Sequence, residues 1–258
     1  MSTRTNLTAL DTIIRREIRR ITRIWTQTLI PPAITMTLYF IIFGKVIGSQ
    51  VHNTPGGFEY MQYIAPGLVM MAIIRNSYGN ITSSFFGAKF GHYVEEMLVS
   101  PMPNWVILTG YIVGAMVRGL AVGVVVLLIA FAFTDLSIAH PWVMLTTAML
   151  TAAVFGLAGF VNAVYAKTFD DIAIIPTFVL APLIYLGGVF YSIQSIGQPW
   201  QALSRVNPIL YMVNAFRYGT LGVTDVNLYV AYGMMIGFVI VLGVFGVWLL
   251  KRGVGMRS

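Results

Sequence analysis

The chain has no cysteine, so disulfides, thiolate metal sites and cysteine nucleophiles are excluded together. Charge is scarce as well. Asp, Glu, Lys and Arg make up 10% of the residues, against about 25% in an ordinary soluble domain. No G-x-x-x-x-G-K-[ST] loop is present to cradle ATP phosphates, and no G-x-S-x-G elbow occurs. His52, His92 and His140 fall in separate connections, none of them in H-E-x-x-H spacing. Hydrolase and metalloenzyme chemistry therefore has no support, and no enzyme activity is expected of this chain. The acidic residues (Asp11, Glu17, Glu59, Glu95, Glu96, Asp135, Asp170, Asp171 and Asp225) all lie outside the interiors of the long apolar runs. Proton- and sodium-coupled carriers usually hold a carboxylate at membrane depth. Its absence counts against a self-contained carrier and points to an energy source outside the chain.

What is abundant is hydrophobicity. Apolar residues make up 57% of the sequence and mean hydropathy is +0.79. The runs last about 18 to 25 residues, enough to cross roughly 30 Å of hydrocarbon. They are continuous and do not alternate with polar residues, which predicts an all-α membrane protein in preference to a barrel. Six spans are predicted: Leu29–Ile47 (with Pro31-Pro32 in its opening turn), Tyr63–Phe86, Trp105–Phe133, Pro141–Tyr165, Ala173–Tyr191 and Leu228–Leu250. No cleavable signal peptide is expected, because a long basic segment precedes the first run and no small-residue cleavage site follows it. Arg4, Arg15, Arg16, Arg19, Arg20, Arg23, Lys89, Lys167, Lys251, Arg252 and Arg257 then share one side. Only Lys45, Arg205 and Arg217 take the other. The positive-inside rule makes the first side, with both termini, cytoplasmic. The net charge of +7 accordingly faces lipid headgroups and not nucleic acid.

Residues 7–25 read as an amphipathic interfacial helix, with Leu7, Leu10, Ile14, Ile18, Ile21 and Trp25 on one side and arginines on the other. The alternative is a solvated basic tail. Residues 192–222 are too polar and broken to span; Pro199 and Pro208 each suit the start of a short helix, placed in the outer leaflet. Trp200, Tyr211, Phe216 and Tyr218 there are types that favour the membrane boundary.

Two arginines sit at membrane depth. Arg75 lies about 18 Å along the second span, at an insertion cost of roughly 2.5–3.5 kcal/mol. Asn76, Ser77, Tyr78, Asn80, Thr82, Ser83 and Ser84 follow it. Either Arg75, Asn76 and Asn80 line a substrate pathway, or Arg75 belongs to a helix-packing network. For Arg118 in the third span the structural reading is preferred, because Gly110 and Gly114, then Gly119 and Gly123, form small-xxx-small pairs. Gly233 and Gly237 in the last span read as packing too. Two cytoplasmic connections carry chemistry that a passive turn would not need. AKFGHYVEEMLVSPMP (88–103) holds Lys89, Phe90, His92, Tyr93, Glu95 and Glu96; AKTFDDIA (166–173) holds Phe169, Asp170 and Asp171. Acidic residues beside an exposed aromatic suit a docking surface, the ring supplying anchor area and the charges register.

The stretches PPAITMTLYFIIFG (31–44), SSFFGAKF (83–90), AKTFDDI (166–172), PTFVLAPLIYLGGVFYS (176–192) and NPILYMVNAFRYG (207–219) resemble the permease subunits of ABC type-2 exporters. The similarity is to the YadH-like branch, related to nodulation-factor and drug-export permeases, and covers nearly the whole chain as one transmembrane domain. The resemblance implies a homodimer in the bacterial inner membrane bound to two copies of a separate ATP-binding subunit. That partner holds the ATP and Mg, and this chain binds no cofactor and no metal. It also implies that residues 88–101 form the coupling helix, with Glu95 and Glu96 as contacts to the partner. Spans two and five, including Gly187 and Gly188, would form the dimer seam and the path for an amphiphilic or lipid-like substrate. A self-contained channel or secondary carrier is the alternative from another class, and a membrane scaffold a third.

Overall fold

The computed structural model describes residues 3–44, 48 and 55–255, and every described regular element is helical. Helix α1 covers Thr3–Arg23 and α2 Trp25–Ile42, separated by a break at Ile24. The long helix α3 spans Tyr60–Phe90 and the short α4 Tyr93–Val99. Then come α5 (Asn104–Phe133), α6 (Pro141–Tyr165), α7 (Asp171–Ile175) and α8 (Ala181–Leu186). Helices α9 (Gln198–Val206), α10 (Pro208–Leu221) and α11 (Leu228–Arg252) complete the order. Among the described residues three helices, α5, α6 and α11, are both long and apolar enough to cross a membrane. Helix α3 has the length, but its polar second half dilutes its hydrophobicity.

Several boundaries differ from expectation. Helix α2 begins at Trp25, so Pro31 and Pro32 fall inside the helix and not in its first turn. Its expected end at Ile47, with Lys45, lies outside the described residues, as does His52. The predicted fifth span is shorter than drawn. Asp171–Leu186 is interrupted by a π-helical turn over Pro176–Leu180 and stops at Leu186, short of 18 residues. A proline amide cannot complete the α ladder, and a wider turn absorbs the defect.

Helix α10, expected to lie in or dip into the outer leaflet, packs among α3, α6 and α11, with Ile209, Leu210, Met212, Val213 and Phe216 buried. Helix α9 keeps Trp200, Leu203 and Val206 exposed, as an interfacial helix would.

Helix α3 is the axis of the bundle, buried continuously from Tyr63 to Ile74 and packed on α5 and α6. Lipid offers no hydrophobic gain for helix pairing, so close van der Waals approach decides it. The glycine pairs of α5 supply that approach on two faces. A Cβ at Gly110 would stand 2.5 Å from Ile13 Cγ2, and one at Gly114 2.6 Å from Glu17 Cβ. This face therefore receives α1. Gly119 and Gly123 receive Ser77 and Ile73 of α3. Gly233 and Gly237 behave differently: no described residue stands over either, and α11 leaves an apolar face outward that includes Val230, Ile240, Val241 and Val244.

Candidate coupling surface and intramembrane polar groups

Helix α3 continues past Phe86 to Phe90, which carries Lys89 to the end of α6. There the Lys89 ammonium donates to the carbonyls of Val164 (2.7 Å) and Ala166 (2.6 Å). These belong to the last turn of a helix and its cap, where carbonyls lack intrahelical partners and the dipole is negative. The ring of Phe169 meets Phe86 at 5.0 Å and Phe90 at 5.1 Å between centroids. The two connections singled out in the sequence are thus one surface, joined by a lysine and three aromatic rings.

Within that surface the residues divide by role. Asp171 caps the turn into α7: its carboxylate accepts from the Lys167 (2.8 Å) and Thr168 (3.0 Å) amides, while its own amide donates to Thr168 Oγ1 (3.2 Å). T-F-D-D is thus a capping box with aspartate in the usual glutamate position. The Lys167 and Thr168 amides, with the Thr168 hydroxyl, hold the Asp171 carboxyl below its ordinary range. Helix α4 is set off from α3 by Gly91 and by His92, which adopts φ 61°. The expected helix over 88–101 is therefore a corner followed by Tyr93–Val99. His92 Nδ1 lies 3.1 Å from Glu95 Oε1. Phe90, Tyr93 and Phe169 stay 62%, 60% and 55% exposed, and Glu96 and Asp170 form no ion pair among the described residues. What remains outward is three rings and two free carboxylates.

The polar half of α3 points in several directions. Arg75 is exposed on the single chain and makes no hydrogen bond among the described residues. Asn76 beside it bonds back to the Ala72 carbonyl at 2.9 Å. Asn80 is buried and faces α1, where its Oδ1 accepts from Arg20 Nη2 at 2.7 Å. Thr82 and Ser83 return their hydroxyls to carbonyls of their own helix. Arg118 is partly buried on α5, its Nε–H without an acceptor among the described residues. Gly187 and Gly188 end α8 and pack on Ile209 and Leu210 of α10.

Two polar centres were not singled out from the sequence. Glu17, 1% exposed, takes hydrogen bonds from Ser84 Oγ (2.7 Å), Arg20 Nη2 (3.1 Å) and Arg16 Nη2 (3.3 Å). Its signal was available: Glu17 interrupts the apolar stripe of α1 between Ile14 and Ile21. The other is Arg217, read as a charge on the outer side but fully enclosed. It donates to the carbonyls of Gly188 (2.7 Å) and Tyr63 (3.3 Å) and to Asn214 Oδ1 (3.4 Å), and stacks 4.1 Å over the Tyr63 ring. The arginine clips α8, α3 and α10 together. Asp225 lies on the same cavity of about 400 Å³, bonded to Ser192 Oγ at 2.7 Å.

These features define a helical membrane protein with one apolar and acidic surface formed by two connections and an exposed arginine on its central helix. Residues 8–221 match the family model described as ABC-2 type transporter. The chain is 52% identical over 251 residues to the Inner membrane transport permease YadH of Escherichia coli K12, covering 97% of each chain. It is 23% identical over 199 residues to Nodulation protein J of Neorhizobium galegae, covering 74% of each. To Nodulation protein J of Rhizobium leguminosarum bv. viciae it is 21% identical over 224 residues, 83% of each. The chain belongs to the ABC-2 type transporter family and is an inner membrane transport permease.

Proposed function

We propose that this chain is the membrane half of an ATP-driven exporter, working as a homodimer with two copies of a separate ATP-binding subunit. The observation that carries the reading is the joined surface of α4 and the 166–173 loop. Exposed Phe90, Tyr93 and Phe169 surround Glu96 and Asp170, the composition of an interface anchored by aromatics and oriented by charge. It stands at the end of α3, the most enclosed helix, so a push there is carried into the bundle. Lys89 and Asp171 hold the surface in shape from inside, while Glu95, Glu96 and Asp170 meet basic groups of the ATPase, where ATP and Mg reside. Both termini are cytoplasmic in this reading, and α2, α3 and the α7–α8 segment supply the spans beyond α5, α6 and α11.

Arg75 and Asn76 then line the seam between two permeases, where an amphiphilic, anionic or lipid-like substrate passes. The support is that Arg75 finds no hydrogen-bond acceptor among the described residues, although a cation at depth is costly. Arg75→Ala should change substrate-stimulated ATPase activity with assembly intact; unchanged stimulation would remove it from the path. The reading as a whole is tested by a mild-detergent pull-down from the native host, beside the Glu95→Lys/Glu96→Lys double variant. A stoichiometric ATP-binding protein, lost in the variant, is expected. If neither form captures one while other membrane complexes survive, a self-contained channel or carrier becomes the better account.

A further inference from the structure

Between α1 and the far end of α3 lies a cavity of about 1110 Å³, lined by five arginines, Asp11 and Glu17. The arginines are not equivalent. Arg15 pairs with Asp11 at 2.7 Å, and Arg16 and Arg20 are committed to Glu17. Arg19 and Arg23, one turn apart on the same face of α1, have no carboxylate partner among the described residues. Arg20, which lines the same space, keeps a buried Nε–H without an acceptor. The facing wall is made of small residues, Ser83, Ser84, Gly87 and Ala88, and a Cβ at Gly87 would meet nothing within 4 Å. Room, surplus positive charge and free donors therefore coincide. Two guanidiniums at this spacing offer forked donors to a tetrahedral oxyanion.

We propose that this cavity is a specific site for the phosphate of an amphiphile at the membrane surface, clamped by Arg19 and Arg23 against the end of α3. This goes beyond general attraction of a basic helix to headgroups, because it requires a cavity of defined shape. It is independent of the ATPase reading. The phosphate has two sources, a resident anionic phospholipid or a phosphate-bearing cargo. Tyr93 of α4 lines the same cavity, so a bound phosphate would tie α1 to the helix at the coupling surface.

The test is native mass spectrometry of the full chain in mild detergent, titrated with phosphatidylglycerol and, separately, with dodecyl phosphate. Phosphatidylglycerol is expected to bind at one copy per chain and to weaken about thirtyfold in Arg19→Gln/Arg23→Gln. Both positions are exposed, so the variant should fold. Gly87→Leu leaves every charge in place and should weaken binding by filling the cavity. Displacement of the lipid by dodecyl phosphate would support a site able to take a phosphate monoester cargo; failure to displace it would support a resident diester lipid. Equal binding by wild type and the arginine variant, or undiminished binding by Gly87→Leu, would overturn the proposal.

Discussion

Replacing Glu17 by glutamine keeps the shape of the side chain and removes its charge. In the native chain this carboxylate accepts from Arg16, Arg20 and Ser84 together, and it stands in the notch over Gly114. Stranding a fully buried partner costs about 3–5 kcal/mol. Arg16 and Arg20, however, retain 47% and 25% side-chain exposure, and water can take over the donors they lose. What is lost is then the difference between charge-assisted and neutral hydrogen bonds, about 2 kcal/mol. That corresponds to about a thirtyfold rise in the opening equilibrium of α1. Amide hydrogen exchange of the full chain in lipid nanodiscs measures it directly. Protection across the second half of α1 should fall by that factor, while the middle of α5 and α6 stays unchanged. If protection changes less than about threefold, the docking of α1 rests on Ile13, Ile21 and the glycine notch, and the argument that Glu17 holds it is refuted.

Three other perturbations test the remaining polar contacts. Lys89→Met leaves the Val164 and Ala166 carbonyls without their charged donor, and amide exchange across 166–170 should rise about tenfold, from a loss of about 1–2 kcal/mol. Unchanged exchange together with lost ATPase binding would place Lys89 in the partner interface instead. Asp171 titrates below its ordinary 3.8, so the unfolded loop binds more protons in the window between the two values. The cap is therefore complete above pH 3.8 and is lost as pH falls through the depressed value. Loop protection should follow that course in wild type, and Asp171→Asn should be looser at neutral pH and lack the acid transition. Arg217→Met removes the charged donor from the Gly188 and Tyr63 carbonyls, while Asn214 Oδ1 keeps the Asp225 amide; it should cost about 3 kcal/mol, read as a lower unfolding midpoint in detergent, and a loss under about 1 kcal/mol would show that Arg217 is not the clip described.

Much of this molecule was legible in linear order. The boundaries of α5, α6 and α11 lie within about two residues of expectation, because long apolar runs flanked by prolines and polar caps leave a membrane helix few choices. The small-xxx-small pairs of α5 announced close approach, although the sequence could not say that one pair receives α1 and the other α3. The two charged connections were visible as chemistry out of place; that Lys89 and Phe169 fuse them into one surface was not. Arg75 was recognised as anomalous, and it makes no hydrogen bond among the described residues.

What the sequence did not show has a common cause. The enclosure of Arg217 and the packing of α10 among three helices were not legible, because prolines, tyrosines and a cation are boundary residues when judged by type alone. In the fold Arg217 is enclosed because two backbone carbonyls, an amide oxygen and a ring converge on it from α3, from its own helix and from the turn after α8. At Gly233 and Gly237 glycine permits close approach, and none of the described residues of this chain makes it. Sequence alone determined that the chain is a helical membrane protein and which segments carry the unusual chemistry, since transfer free energy and helix periodicity are local properties. Tertiary structure alone decided which polar group meets which, because the cost of a buried charge depends on donors and acceptors that lie far away along the chain.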